Sequence, residues 1–197
     1  FPAKEVCRDM AVPKVGSWEK LKRLAKYLVS RESVKFRFEW QDDGQQMVVY
    51  TDSDWAGCRR TRKSTSGGAI MIGTHCIKTG SSTQGPIALS SAEAEYYSMV
   101  DGATRAKGMQ TMGLEVGLKC LAGPITLCED SSAAKSFARS RGLGTMRHVD
   151  TRELWLQEEV LQSRVVVRKV WGEENPADLM TKYLATSIIR GHLSRLC

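Results

Sequence analysis

Four acidic residues stand at boundaries of the secondary-structure elements that the sequence predicts. They are Asp52 in YTDSDW, Glu95 in SSAEAEY, Asp130 in LCEDSS and Asp178 in NPADL. Carboxylates at strand ends and helix starts can converge at one edge of a sheet, where they repel one another unless cations bind. Hard oxygen ligands favour Mg²⁺ or Mn²⁺, and two such ions about 4 Å apart form a site for phosphodiester cleavage.

Two neighbouring acids are alternatives within this set. Glu93 competes with Glu95, because both belong to the same AEAE segment. Asp54 competes with Asp52, but it shares a strand face with Asp52 only while the strand continues. We expect Asp54 to lie in the turn after the strand.

Hydrophobic periodicity and turn residues predict strands and helices mixed around one sheet. The first predicted elements are a basic amphipathic helix, which Ser17 caps, and a strand. A hairpin follows with its turn near Gly73, and a long helix then begins at Ser90 or Ser91. This order predicts an α/β or α+β layer fold. The predicted helices cover 17–28, 91–112, 131–138 and 149–162, with a further one opening at Pro176, and the predicted strands cover 34–40, 47–51, 68–73, 75–79, 125–128 and 164–171.

The composition is that of a globular protein with a modest basic excess. The 197 residues are 42% hydrophobic and 26% charged, with a net charge of +7 and six scattered cysteines. The charge is compatible with a polyanionic partner, and the cysteine spacing favours reduced thiols in an intracellular protein. No apolar run reaches the length of a membrane span. The start at Phe1, without Met or an apolar signal region, predicts an internal piece of a longer chain.

A series of motifs resembles the ribonuclease H domain of copia-type retrotransposon polyproteins. YTDSDWAG, RTRKSTSG, LSSAEAEY, CEDSSAA, RHVDTR and ENPADLMTKYL follow one another between residues 50 and 184, in the family's order. The segment VCRDMAVPKVGSWEKLKRLAKYL is similar to the end of the reverse transcriptase that precedes this domain. The resemblance implies a ribonuclease H-like mixed five-stranded sheet flanked by helices, with a short N-terminal helical extension.

The resemblance also implies an activity and the residues that carry it. The family's four metal-binding acids fall on Asp52, a Glu of the AEAE pair, Asp130 and Asp178. Glu95 is preferred in the pair, because Ser98 matches the small residue common three positions after the catalytic Glu. The implied enzyme hydrolyses the RNA strand of RNA–DNA hybrids with two Mg²⁺ or Mn²⁺ ions.

Three histidines and one loop bear on this comparison. Cellular ribonucleases H commonly carry a His-bearing loop before the last acid, whereas the segment 171–175 is short and has no His. This departure predicts lower turnover. His148, in RHVD, is interpreted as a capping or packing residue, and His75 and His192 are expected at the surface. The paired aspartates of a polymerase site are absent, which excludes polymerisation by this chain.

Basic clusters offer contacts to a nucleic-acid backbone. The residues assigned to this role are Arg59, Arg60, Arg62, Lys63 and Arg147, and further basic residues are Lys20, Lys22, Arg23, Lys26, Arg139 and Arg141. Contacts to phosphates and 2′-hydroxyls would give weak sequence preference. Trp18, Tyr27 and Trp55 are either core residues or stacking platforms.

The organisation expected from these patterns has three parts. Residues 1–44 form the end of the reverse transcriptase, 45–184 the ribonuclease H-like domain and 185–197 a C-terminal tail. The expected partners are an RNA–DNA hybrid and the rest of a polyprotein, in the cytoplasm or nucleus. The alternative is a domesticated, inactive relic that serves as a structural subunit of a larger assembly, with other protein subunits as its partners; an organelle is a further location under this alternative.

Overall fold

A computed structural model describes the chain except for residues 31–32, 34–36, 43, 145 and 197. The chain divides into two compact units, Phe1–Phe38 and Glu39–Cys197. All elements of the sheet lie in the second unit. The sequence-based boundaries at residues 44 and 184 stay predictions.

The first unit contains two helices, α1 (Pro2–Cys7) and α2 (Val15–Val29). The predicted helix is present, but Ser17 is not its N-cap, because the helix begins two residues earlier and Lys14 takes that position. Ser17 lies one turn into the helix, where its hydroxyl accepts a hydrogen bond from the Lys14 N–H at 3.3 Å and donates to Asp9 at 3.0 Å. The short N-terminal helical extension is confirmed.

The strand predicted over 34–40 is not found where the chain can be described. Residues 34–36 lie outside the described residues, and 37–40 form no strand. The turn predicted at 42–44 includes residue 43, which also lies outside them. The described residues of the second unit before β1, which are 39–42 and 44–46, form no strand.

The second unit is built on one five-stranded mixed sheet. Its strands are β1 (Met47–Asp54), β2 (Thr65–Ile72), β3 (His75–Thr83), β4 (Ile125–Glu129) and β5 (Val165–Lys169). They lie in the order β3-β2-β1-β4-β5, with β1, β2 and β3 antiparallel neighbours and β4 parallel to both β1 and β5. The predicted hairpin and the mixed five-stranded sheet are confirmed.

Strand direction decides what meets at one edge of this sheet. Because β4 and β5 run parallel to β1, the carboxyl ends of all three strands lie on the same side. The chain that leaves β3 turns at that side into the long helix α3 (Ser91–Glu115). Ser90 caps this helix as predicted, and its hydroxyl accepts from the Glu93 N–H at 3.2 Å.

The main hydrophobic core lies between the sheet and the helices. Tyr96, Met99 and Ala103 on α3 are fully buried against sheet residues such as Val49 and Leu127. The helices α4 (Ser132–Arg139) and α5 (Trp155–Leu161) complete this layer, and Phe137 of α4 packs edge-on to the Tyr96 ring at 4.6 Å.

The C-terminal third differs from the sequence-based expectation in three places. The predicted helix 149–162 is a 3-10 turn, Thr151–Leu154, followed by α5, and the helix expected at Pro176 is a 3-10 helix, Pro176–Met180. The C-terminal segment contains α6 (Thr186–Leu196).

His192 on α6 is 2% exposed, so its expected surface position was wrong. His75 is half-buried and pairs with Gln41 at 3.0 Å, so it is not a simple surface residue either.

Gly67 on β2 allows the 3-10 helix 176–180 to approach the sheet. A Cβ atom at this position would lie 2.5 Å from Thr181 Cγ2, 2.8 Å from Met180 Cβ and 3.1 Å from the carbonyl oxygen of Ala177. We expect Gly67→Ala to lower the free energy of unfolding by about 1–3 kcal/mol, the usual cost of overpacking. Urea unfolding would measure it. Gly85→Ala is the matched control, because nothing lies within 4 Å of its added Cβ; equal effects of both variants would contradict this packing role.

Among the residues that the structure describes, no helix combines the length and the apolar character required to cross a membrane.

Candidate metal centre

Three of the four predicted acids come together at the carboxyl edge of β1. Asp52 is on β1, Glu95 is in the second turn of α3 and Asp130 directly follows β4. One carboxylate oxygen from each lies within 4.8 Å of the others. This spacing is suited to a shared cation.

Asp52 is held in place by backbone as well as side-chain contacts. Its residue is 1% exposed, and its carbonyl oxygen accepts a hydrogen bond of 2.6 Å from the Ser98 hydroxyl. Ser98 also donates to the Gly67 carbonyl at 3.3 Å, so α3 is tied to both β1 and β2. The small residue noted three positions after Glu95 therefore attaches the helix to the strand that carries Asp52.

Glu95 and Glu93 have different surroundings. Glu93 is 1% exposed, and its Oε2 accepts from the Leu89 N–H at 2.8 Å and lies 2.7 Å from His148 Nε2. Through these contacts Glu93 stabilises the start of α3 and the loop that carries His148. Glu95 instead lies with Asp52 and Asp130.

Asp54 differs from the expectation that it lies in the turn. β1 continues through Asp54, which pairs with Thr65 of β2. The Asp54 carboxylate lies over the following turn. It is so close to Gly57 that a Cβ atom added there would overlap it. Among the described residues, the three-acid group that can share a cation does not include Asp54.

Asp178 is connected to the cluster through a lysine that sequence analysis did not identify. Lys182 Nζ lies 2.8 Å from Asp178 Oδ1 and 3.0 Å from Asp52 Oδ1. The spacing of four residues between Asp178 and Lys182 is a sequence signal for such a pair. Burial alone would lower the pKa of Lys182, but the charges of Asp52 and Asp178 outweigh it and raise that pKa.

Asn175 brings the segment with Asp178 to β1. It is fully buried, its Nδ2 donates to the Thr51 carbonyl at 2.8 Å, and its Oδ1 accepts from the Ala177 N–H at 3.2 Å. The second bond caps the 3-10 helix, and Pro176 supplies the first helical residue, where a missing N–H costs nothing. The Asn-Pro pair was therefore a usable signal for this capped turn beside Asp52.

A fifth acid, Glu129, lies beneath the cluster and was not singled out from the sequence. It is fully buried at the end of β4, where Oε2 accepts from Thr51 Oγ1 at 2.8 Å and Oε1 accepts from the Asp130 and Ser131 N–H groups at 3.0 and 3.1 Å. Burial, followed by the charge of Glu95, raises its pKa well above the usual range. Its bonds to both backbone N–H groups fix the turn that presents Asp130.

The charge balance of the cluster favours a bound cation. Burial raises the pKa of Asp52 to about 6, although Lys182 and Thr181 oppose the shift. Burial and the charges of Asp52 and Asp130 raise the pKa of Glu95 to about 8. Glu95 Oε2 is enclosed and has no hydrogen-bond partner among the described residues. These carboxyl groups therefore resist ionisation, and one enclosed oxygen has no partner among the described residues. Such a cluster of oxygen donors fits a divalent ion of the Mg²⁺ or Mn²⁺ type.

The basic loop between β1 and β2 leaves the sheet at this same edge. Arg59, Arg60 and Arg62 are exposed and Lys63 is half-buried. The loop is closed by backbone hydrogen bonds between residues 58 and 62 and between 58 and 63, of 2.7 and 3.2 Å. Arg147 is exposed and precedes His148, which lies against Glu93 at the start of α3.

Trp55 is an exposed aromatic residue next to the acids. It follows Asp54, and its Nε1 donates to the Ala88 carbonyl at 3.1 Å, which fixes one edge of the ring. The residue is 47% exposed, so it is not a core residue. The interpretation of Trp55 as a core residue is therefore wrong, and its interpretation as a stacking platform stays a prediction.

The chain is similar to transposon polyproteins along nearly its whole length. It is 25% identical over 196 residues, all of this chain, to the retrovirus-related Pol polyprotein from transposon RE1 of Arabidopsis thaliana. It is 29% identical over 177 residues, 90% of this chain, to that from transposon TNT 1-94 of Nicotiana tabacum. In both comparisons the chain spans 13% of the relative's length.

Similar solved structures include the N-terminal RNase H domain of rv2228c from Mycobacterium tuberculosis. It is 14% identical, with a TM-score of 0.44, and the match covers 78% of this chain and 99% of that one. No family model matches the chain. The mixed five-stranded sheet described above, flanked by helices, is the one that the sequence resemblance implied. The chain is thus similar along nearly its whole length to a segment of copia-type retrotransposon Pol polyproteins, and it has the mixed five-stranded sheet flanked by helices that this resemblance implied.

Proposed function

We propose that this chain hydrolyses the RNA strand of RNA–DNA hybrids with divalent metal ions held by Asp52, Glu95, Asp130 and Asp178. The convergence of the first three carboxylates at one sheet edge, with an enclosed and unpaired oxygen on Glu95, carries the proposal. The similarity to retrovirus-related Pol polyproteins of transposons supports it.

The chain's own residues have separable parts in this reaction. Asp52, Glu95 and Asp130 would hold an ion, while Glu129 and Ser98 would keep the strand end and the helix that present them in register. Bound Mg²⁺ or Mn²⁺ supplies an activated water and stabilises charge on the leaving oxygen. The basic loop 59–63 and Arg147 would contact phosphates, and Trp55 would support the nucleic acid beside them. The cytoplasmic or nuclear location and the polyprotein partner stay predictions.

The experiment is cleavage and binding of a labelled RNA–DNA hybrid with Mg²⁺, with Mn²⁺ and with chelator, at two salt concentrations. We expect cleavage only with a divalent ion. Binding of the hybrid should persist in chelator, and its affinity should fall steeply with salt, because the release of counterions from the phosphates drives binding. The double variant Arg59→Gln/Arg60→Gln should lower the salt slope by about 2.

Lys119→Gln provides the matched control for the loss of positive charge. Lys119 is exposed and precedes the amino end of β4, at the edge of the sheet opposite the acids. We expect its salt slope to equal that of the unmodified protein. Binding without cleavage under every condition would exclude the enzyme and favour the structural subunit.

A further inference from the structure

Lys182 lies between two of the four acids, where an ion shared by Asp52 and Asp178 would also have to lie. Its Nζ is 3.0 Å from Asp52 Oδ1 and 2.8 Å from Asp178 Oδ1. Mg²⁺ binds carboxylate oxygens at about 2.1 Å. An ion bridging the same two oxygens would therefore overlap the ammonium group or face its charge at very short range.

The backbone fixes the lysine in this place. The N–H groups of Thr181 and Lys182 both donate to the Asp178 carbonyl, at 3.2 and 3.1 Å, so one helical turn joins the acid to the lysine. Thr181 is fully buried, and its hydroxyl donates to Asp52 Oδ2. The turn is thus attached to Asp52 by two consecutive side chains.

The acids consequently divide into two unequal halves. Asp52, Glu95 and Asp130 each bring one carboxylate oxygen within 4.8 Å of the other two, and the enclosed oxygen of Glu95 has no partner among the described residues. The Asp52–Asp178 half already contains a cation that belongs to the chain. The first half needs a counter-charge from solution, whereas the second does not.

We propose that Lys182 acts as a built-in cation that keeps the Asp52–Asp178 position closed to metal, so that the free protein takes one divalent ion at Asp52, Glu95 and Asp130. A second ion enters only when the lysine side chain moves away. This inference rests on the proposed function, because it assigns occupancy to the same acids. It makes Lys182 a positioning residue that sets the number of ions.

The test is Mn²⁺ binding, measured by electron paramagnetic resonance of free Mn²⁺ and by calorimetry, on the protein without nucleic acid. The unmodified protein should bind one ion. Lys182→Gln should bind two, with the second at least about tenfold tighter than any second ion in the unmodified protein, a change of about 1.4 kcal/mol. Lys182→Arg, which keeps the positive charge, should still bind one.

Lys169→Gln is the matched control, because it removes the same charge close to the site without touching a carboxylate. Lys169 Nζ donates to the Asp130 carbonyl and, at 2.8 Å, to Ser132 Oγ. It should bind one ion. A second ion in both glutamine variants would show that net charge alone controls occupancy and would overturn the proposal. Circular dichroism in chelator confirms that each variant is folded.

The remaining outcomes separate this inference from the proposed function. One ion in both the unmodified protein and Lys182→Gln would overturn the role of Lys182 and leave the proposed function standing. No ion in the unmodified protein but binding by Lys182→Gln would show that the lysine closes the whole site, which would contradict both the one-ion occupancy of the free protein and metal-dependent cleavage. No binding by either protein would overturn both.

Discussion

Asp52→Asn should abolish hybrid cleavage while the protein remains folded. Asp52 belongs to the three-acid cluster and also to the pair bridged by Lys182, so its loss affects every position at which an ion could bind. Metal-ion stabilisation of a transition state is worth several kcal/mol, so we expect the rate to fall by about 1000-fold or more. Single-turnover cleavage with Mg²⁺ would measure it.

The same variant should be as stable as the unmodified protein in chelator, or slightly more stable. The raised pKa of Asp52, which burial causes, shows that the fold disfavours its charged form. Asparagine removes one charge from a self-repelling cluster. Asp101→Asn is the control, since Asp101 pairs with Arg105 at 3.0 Å on α3 and is not in the acid cluster. Full cleavage by a folded Asp52→Asn protein would place the metal site elsewhere.

Glu95→Gln and Glu93→Gln should separate the two acids of the AEAE segment. We expect Glu95→Gln to lose cleavage by about 1000-fold, because it removes a ligand oxygen with charge. Glu93→Gln should retain cleavage within about tenfold, but it weakens the contact with His148 and should lower the free energy of unfolding by about 1 kcal/mol. Cleavage assays and urea unfolding would measure both. The opposite pattern of activity would assign the ligand to Glu93.

The stability of the Glu95→Gln variant should depend on pH differently from that of the unmodified protein. Burial and the charges of Asp52 and Asp130 raise the pKa of Glu95 to about 8 in the folded protein, so folding favours its protonated form. That contribution to stability is complete below the ordinary pKa of a glutamate and is lost as the pH rises through 8. Glutamine resembles the protonated acid at every pH. In chelator, the variant should therefore be more stable than the unmodified protein at pH 9, and this difference should shrink as the pH falls and disappear below the ordinary pKa of a glutamate.

Local sequence patterns mark the strand ends that Asp52 and Asp130 follow or occupy. The β-rich run before Asp52 and the apolar segment before Asp130 each end at a polar residue, and parallel strands bring such ends to one edge. The preference for Glu95 over Glu93 came from the family resemblance. Without the structure, both residues were compatible with the start of α3.

What the sequence did not indicate depends on contacts between distant segments. Lys182 reaches Asp52 across 130 residues of chain, and Asn175 reaches the Thr51 carbonyl across 124. The role of Glu129 depends on its side chain, which turns into the interior at the end of β4. The side chain of the next residue, Asp130, does not. His192 was misplaced because α6 is a short helix of mixed composition, whose buried face only tertiary packing selects.

The buried face of α6 gives the fourth acid a support outside the sheet. His192 is nearly inaccessible, and Asp178 and Lys182 are both among the charges that act on it. Leu196 packs with Met71 of β2 and with Leu179 and Met180, which directly follow Asp178. A proteolytic cut between residues 183 and 186 would therefore release the backing of Asp178 while leaving the other three acids on their own elements. Asp178 would thereby lose its support through damage to a segment that contributes none of the four acids.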